Sequence, residues 1–492
     1  MNQQNPEHSG GFRRDLGLFD STMIVVGSMI GSGIFIVSAD IARTVGCAGL
    51  LLAVWIIAGV MTIIAALSYG ELAGLIPHAG GQYVYLRESF NPLIAFLYGW
   101  TLFTVIQTGT IAAVAMAFGK FLAVLVPALG ADAVILSVAG LHVSATQISA
   151  IASILLLTAI NVRGIHGGKI VQNIFSSAKV IALFALIILG LAIGANREAI
   201  AANLEGFWSA SWTHMDGGAV VAVEALTGLK LAAAVGVAMV GSLFASDAWF
   251  DITFTAGEVK DPTRDVPRSL MLGTALVTLI YLLANVVYMA ALPVTGAPGA
   301  DGVAAAGIQF AASDRVATAA ATVMFGGAGA VLVAALIMIS TFGCNNGLIL
   351  AGARVYYAMA QDRLFFSRAG RLNKKGVPAA GLVIQAVWAS SLCLTGTYSD
   401  LLDYVIFAVL IFYSLSIAGI FMLRRKRPDA ERPVRAPGYP WLQVLYIVLA
   451  AAICISLLVY KPKYTWPGLL IVLFGIPVYY IWKRFVAGED AG

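Results

Sequence analysis

Two short stretches of this chain carry residue types that could do chemistry, and each lies inside a long apolar run. The first is Gly27-Ser28-Met29-Ile30-Gly31-Ser32-Gly33, between Met23-Ile24-Val25-Val26 and Ile34-Phe35-Ile36-Val37. Three glycines and two serines are poor helix formers, and in hydrocarbon each backbone group they free costs several kcal/mol unless something polar meets it. A helix that stops near Ile30 and restarts near Ile34 aims the N–H groups of Ser32, Gly33 and Ile34 into the gap, at the positive pole of its second half. Such a pole binds carboxylates. The competing reading of the same residues is a smooth surface for close helix packing. The second stretch, Ser242-Leu243-Phe244-Ala245-Ser246-Asp247, has the opposite polarity. There the carbonyls of Leu243, Phe244 and Ala245 end a half-helix at a negative pole suited to an ammonium. Two opposed poles can recognise a molecule bearing both charges, which is binding rather than bond-making.

Lys179 is the third such residue, about ten positions into its apolar run after Ser176 and Ser177. An ammonium at that depth costs about 2.5 to 3.5 kcal/mol even on the lenient insertion scale, which favours an interior position with partners. Snorkelling would need to cover ~15 Å along a helix, near the limit of a lysine's reach.

The elements that must hold these groups are membrane helices. The chain is 60% hydrophobic and 11% charged, with a mean hydropathy of +0.89. Runs able to cross ~30 Å of hydrocarbon fall at about twelve places: roughly 19–45, 49–76, 93–126, 145–163, 169–194, 232–257, 271–292, 317–360, 379–396, 400–423, 441–460 and 464–485. This pattern predicts one all-α polytopic domain over 1–492. The net charge of +5 does not imply a nucleic-acid partner, because the basic residues follow topology. Arg13, Arg14, Lys260, Arg264, Arg268 and the run Arg424 to Arg427 fall on one side with both termini, against Arg43, Arg197, Lys230, Arg315, Lys461 and Lys463 on the other. By the positive-inside rule the first side is cytoplasmic.

The two interrupted spans are the first and the sixth, five apart and opposite in direction. That is the pattern of an inverted repeat with a discontinuous helix opening each half, 14–194 and 232–423, beside two peripheral helices at 441–485. The joint Pro77 to Glu88, with Gly80-Gly81 and two tyrosines, reads as a turn and a headgroup anchor, and Asn161 to Lys169 as a loop. Gln107-Thr108-Gly109-Thr110 and Asn345-Asn346 are either interhelical glue or cavity lining. Cys47, Cys344, Cys393 and Cys454 show no CxxC spacing and read as small core residues, and the histidines form no metal motif. No metal, no cofactor and no cleavable signal peptide are expected. An enzyme lacks a catalytic constellation here, and a channel lacks a ring of charges or a filter repeat.

The run Gly27 to Phe35 resembles the first helix of the amino acid–polyamine–organocation superfamily, and Glu258-Val259-Lys260-Asp261-Pro262 with Val266-Pro267-Arg268 its motif after helix six. Gly80-Gly81-Gln82-Tyr83, Phe244-Ala245 with Trp249, Ser340-Thr341-Phe342-Gly343 with Asn346-Gly347, and Arg424 to Pro433 are similar to the L-amino acid transporter branch and to bacterial amino acid exchangers. The resemblance implies a LeuT-like fold of two inverted five-helix halves working by alternating access. It implies that substrate meets Met29, Gly31, Ser32 and Gly33 through its carboxylate and Phe244 and Ala245 through its amine, beside Ser246 and Asp247, with Phe244 as a gate. Lys179, with Ser340, matches the helix-five lysine that replaces a sodium ion in sodium-independent members. The implied protein is a secondary amino acid transporter, exchanger or proton-linked, for small or polar neutral L-amino acids. The rivals are cationic amino acids or polyamines paired to Asp247, and sodium symport. Ser246 departs from the aromatic residue common there, and Asp247 from the glycine of the eukaryotic branch; its local alternative is to cap the second half-helix. The loop 127–144 lacks the cysteine that binds a heavy subunit in animal relatives. The expected partners are therefore substrate and membrane lipids, without a heavy subunit, in a monomer or weak oligomer of the bacterial inner membrane.

Overall fold

The computed structural model describes residues 14–489 except 132, 139–140, 217–218 and 395–397; the signal-peptide expectation falls on residues outside these. Among the described residues eleven helices are long and apolar enough to cross a membrane, and the shorter apolar helix Ala379–Leu392 stands where the ninth span is expected. In order they are span one (Leu18–Met29, Gly33–Ile36, Ser38–Val45), two (Ala48–Leu75), three (Pro92–Leu125, through a π-helical turn at Leu102–Ile106), four (Ala145–Val162) and five (Ile165–Ile193). Then come six (Gly228–Ala245, Asp251–Phe254), seven (Pro262–Ala291), eight (Val316–Gln361), nine (Ala379–Leu392), ten (Tyr398–Lys426), eleven (Trp441–Tyr460) and twelve (Pro462–Glu489).

Burial is inverted relative to a water-soluble protein. Ile181, Ile188, Leu332, Val387 and Ile455 are exposed, whereas Lys179, Asp247, Asp251 and Arg354 are buried. Apolar side chains lose nothing against lipid, while charges must find partners inside. Small residues let the inner helices touch. A Cβ on Gly59 of span two would lie 2.4 Å from Thr278 Cγ2 of span seven, and one on Gly273 of span seven 2.4 Å from Val25 Cγ1 of span one. Spans one, two and seven are thereby packed too closely for larger side chains at those points. Glu71 of span two accepts from Arg424 Nε (2.9 Å) and Nη2 (2.7 Å) and from the Ala436 N–H (2.7 Å), which ties the Arg424 to Pro433 run to span two.

Two sequence expectations are corrected, and one feature was not anticipated. The loop expected over Asn161 to Lys169 is a two-residue joint, Arg163-Gly164, because span five already starts at Ile165. Helix propensity is a weak local preference, and Gly167-Gly168 does not outweigh the helix they extend. Tyr83 and Tyr85, read as headgroup anchors, are fully buried. Gly80 (φ 101°) and Gly81 (φ 43°) turn the chain beneath the second half of span six, where a Cβ on Gly81 would lie 2.2 Å from Thr253 Oγ1. The face opposite the termini carries two hairpins the pattern did not reveal, Val134–Val138 with Leu141–Ser144 and Ser211–Asp216 with Ala219–Ala225. The latter is held at Gly46, whose left-handed turn (φ 66°) leaves no room for a side chain against Ser211.

Candidate substrate site

Span one unwinds after Met29. Ile30 leaves helical geometry (ψ 83°), the Gly31 N–H turns back to the Met29 carbonyl at 2.8 Å, and the helix resumes at Gly33. The freed carbonyls are met one by one from other spans, as a dry interior requires. Lys179 Nζ donates to Gly27 O (2.5 Å) and Ile30 O (2.8 Å). Ser340 Oγ donates to Ile30 O at 3.1 Å, with Gly31 O at 3.4 Å, and Cys344 Sγ to Ser28 O at 3.0 Å. Tyr281 Oη donates to Met29 O at 2.9 Å. Lys179 thus faces inward, 2% exposed, as the fifteenth residue of its helix rather than the tenth of its run.

Span six unwinds over residues 246–250. Its first half ends at Ala245, the Asp247 N–H bonds back to Phe244 O at 3.2 Å, and Ala248 takes a positive φ of 62° that an L-residue adopts only at a steric cost. The carboxylate of Asp247 is held on two sides: Tyr413 Oη donates to it at 2.5 Å and the Ala248 N–H donates from the break itself. An aromatic wall closes around it, with Trp249 set edge-on to Tyr69 at 4.8 Å and tilted against Tyr413 at 5.2 Å.

The two breaks meet. A Cβ on Gly33 would lie 2.5 Å from Ala245 Cβ and 2.6 Å from its Cα, so glycine is what lets the two half-helices abut. Tyr281 of span seven joins them as well, because its hydroxyl lies within 3.0 Å of Ala245 O and 2.9 Å of Met29 O and can donate to either. Its ring is fixed edge-on to Trp55 at 5.5 Å. Sequence reasoning missed this residue. A phenol in the middle of an apolar helix needs a partner for its hydroxyl, so Leu279-Ile280-Tyr281-Leu282 was the available signal. Met29, Gly31, Ser32, Gly33, Phe244, Ala245, Ser246 and Asp247 are all buried in or beside these breaks, and Lys179 and Ser340 back the first. Gln107 donates to Leu348 O at 2.8 Å and Asn161 to Asn346 Oδ1 at 2.9 Å, so Gln107 and Asn346 act between helices.

Latches cross both ends of the half-helices. On the termini-bearing face Leu16 pairs with Val259, the Asp15 and Leu16 N–H groups donate to Glu258 O at 3.0 Å, and Arg354 forms a buried ion pair with Glu258. On the opposite face Arg43 Nη1 donates to Gln309 O and Asp314 Oδ1, each at 2.7 Å, and Gln309 Nε2 donates to Ala42 O at 3.1 Å.

Gly33→Val should separate the breaks. Overpacking of this kind costs about 1–3 kcal/mol, so the unfolding midpoint should fall. An unchanged midpoint would show that the abutment is not needed.

Residues 16–480 match the amino acid permease family. Among individual proteins, the chain is similar to the b(0,+)-type amino acid transporter 1 of Mus musculus, 26% identical over 97% of this chain and 89% of that protein. It is 28% identical to the large neutral amino acids transporter small subunit 2 of Homo sapiens over 95% of this chain and 80% of that protein. It is 27% identical to the serine/threonine exchanger SteT of Bacillus subtilis (strain 168) over 96% of this chain and 98% of that protein.

Proposed function

The chain belongs to the amino acid permease family, and from that premise we propose that it is a sodium-independent transporter of small or polar neutral L-amino acids, working by alternating access as an exchanger or a proton-linked carrier. That it is a multi-pass membrane protein and an amino acid transporter, not an enzyme, follows from the family and its relatives. The observation that carries the finer reading is the Lys179 ammonium on the Gly27 and Ile30 carbonyls with Ser340 beside it. A positive charge already satisfies the carbonyls that a bound cation would otherwise need, so sodium has no task at this break.

In this reading the substrate carboxylate meets the second half of span one at Gly31, Ser32 and Gly33, and its amine the end of span six at Phe244 and Ala245, with Phe244 closing over it. Met29 and Ser246 line the rest. Spans one to five and six to ten are the two inverted halves, the termini are cytoplasmic, and the latches on either face open in turn. The chain works without a heavy subunit, for which the loop 127–144 offers no cysteine, and as a monomer or weak oligomer. The exchanger SteT, matched over nearly its whole length, fits the preference for small polar substrates. The cap on Asp247 favours neutral over cationic side chains, because that carboxylate already has Tyr413 and the Ala248 N–H as donors.

Thermal shift of the purified protein against the twenty amino acids and common polyamines, with and without sodium, tests the whole reading. Stabilisation by small neutral amino acids that is indifferent to sodium is expected. Polyamine-selective stabilisation or a sodium requirement would reject the substrate class or the coupling, respectively. Asp247→Asn should leave the ranking of neutral and cationic ligands in that screen unchanged and cost about 1 kcal/mol of stability, as one charged hydrogen bond becomes neutral. A re-ordered ligand profile would place the carboxylate on the substrate.

A further inference from the structure

Asp251 opens the second half of span six and is fully buried. It differs from Asp247 in that neither carboxylate oxygen closes a hydrogen bond among the described residues, whereas Asp247 is held by Tyr413. The Ser28 hydroxyl faces it from span one, itself without closed hydrogen-bond geometry. Tyr98 of span three and Cys344 and Tyr356 of span eight stand around it, with Asp247 on its own break, and the Tyr98 and Tyr356 hydroxyls are likewise unpartnered. None of these neighbours is cationic. Lys179 is engaged by span-one carbonyls, and Arg354 by Glu258. An ionised carboxylate placed here would have lost its hydration with only neutral hydroxyls nearby, none of them closed on it, and no counter-charge in return, and a buried acid in that position is neutralised.

We propose that Asp251 is a proton-binding site, and that the proton it holds moves with the transported amino acid. The proposal rests on the transporter reading above and assigns its coupling ion. The half-helix Asp251–Phe254 leads directly into the termini-face latch, where Phe254 O accepts from the Gly80 N–H at 3.3 Å and Glu258 holds Arg354. Opening that latch admits water to Asp251, the O–H bond breaks heterolytically, and the proton passes to water as the carboxylate becomes hydrated. When the site next opens to the other face, the carboxylate takes a proton from water there, and closure over substrate buries it neutral again.

The test uses the full chain in proteoliposomes with labelled L-serine, together with infrared spectra of the purified protein. In the wild type a protonated-carboxyl C=O stretch that is absent from Asp251→Asn is expected. An inside-alkaline gradient should raise L-serine accumulation by about tenfold per pH unit for one proton. Asp251→Asn, which mimics the neutral acid, should counterflow L-serine yet ignore the gradient. An infrared band unchanged in Asp251→Asn, or gradient-driven accumulation persisting in it, overturns the proposal. Wild-type accumulation of L-serine indifferent to the gradient also overturns it, while counterflow that persists leaves the transporter reading intact. If the wild type does not counterflow L-serine, that substrate assignment fails instead, and the infrared band alone decides Asp251.

Discussion

Lys179→Ala should remove most transport and leave the protein folded. The ammonium is the donor to Gly27 O at 2.5 Å and shares Ile30 O with Ser340. Without it the Gly27 carbonyl is orphaned in a dry interior, at about 1–3 kcal/mol. That loss is offset, because the variant no longer buries a charge whose insertion alone costs about 2.5–3.5 kcal/mol. The net change in stability should therefore be small. On the proposed reading function has no such compensation: the unwound turn that presents Ser32 and Gly33 is held by those carbonyls, and a shift of its N–H groups would misplace the carboxylate that this reading puts there. We expect uptake to fall by roughly ten- to a hundredfold with an unfolding midpoint close to wild type. Wild-type turnover would show that the ammonium is scaffolding only, and a collapsed midpoint would show that it is structural.

Arg354→Ala should have the reverse signature. Arg354 and Glu258 are 4% and 5% exposed and form a two-point ion pair between span eight and the segment after span six. Removing the arginine leaves a buried carboxylate without its main partner, and loss of one member of such a pair costs about 3–5 kcal/mol. The unfolding midpoint should drop markedly. The double variant Arg354→Met with Glu258→Gln should recover much of it, since neutralising both partners removes the uncompensated charge. If the termini-face latch depends on this pair, the double variant regains stability but not tight closure, read as faster labelling of a cysteine introduced at Ser28. Equal labelling in the wild type and the double variant would place the latch elsewhere, in the Leu16–Val259 bridge.

Much of the fold was legible because membrane helices satisfy their own backbone. Apolar runs of sufficient length announce themselves, and a run broken by Gly-Ser-Met-Ile-Gly-Ser-Gly announces a cost that something must meet. Which groups meet it was legible only where a single side chain was improbable at its depth. Lys179 stood out for that reason, whereas Tyr281, joining the two breaks through one hydroxyl, did not, because tyrosine is tolerated in apolar helices. Asp251 was passed over beside Asp247, since adjacent carboxylates look alike until their donors are known.

By itself, then, the sequence determined that this chain crosses a membrane about twelve times and that its first and sixth spans must unwind, because solvation cost is set by composition along the chain. Only tertiary structure decided that Gly33 abuts Ala245, that Asp247 is tied to Tyr413, and that Asp251 is buried without a closed hydrogen bond or a counter-charge. Those are contacts between residues far apart in sequence, or the want of them, and hydropathy and spacing carry no record of which distant groups a fold brings within 3 Å.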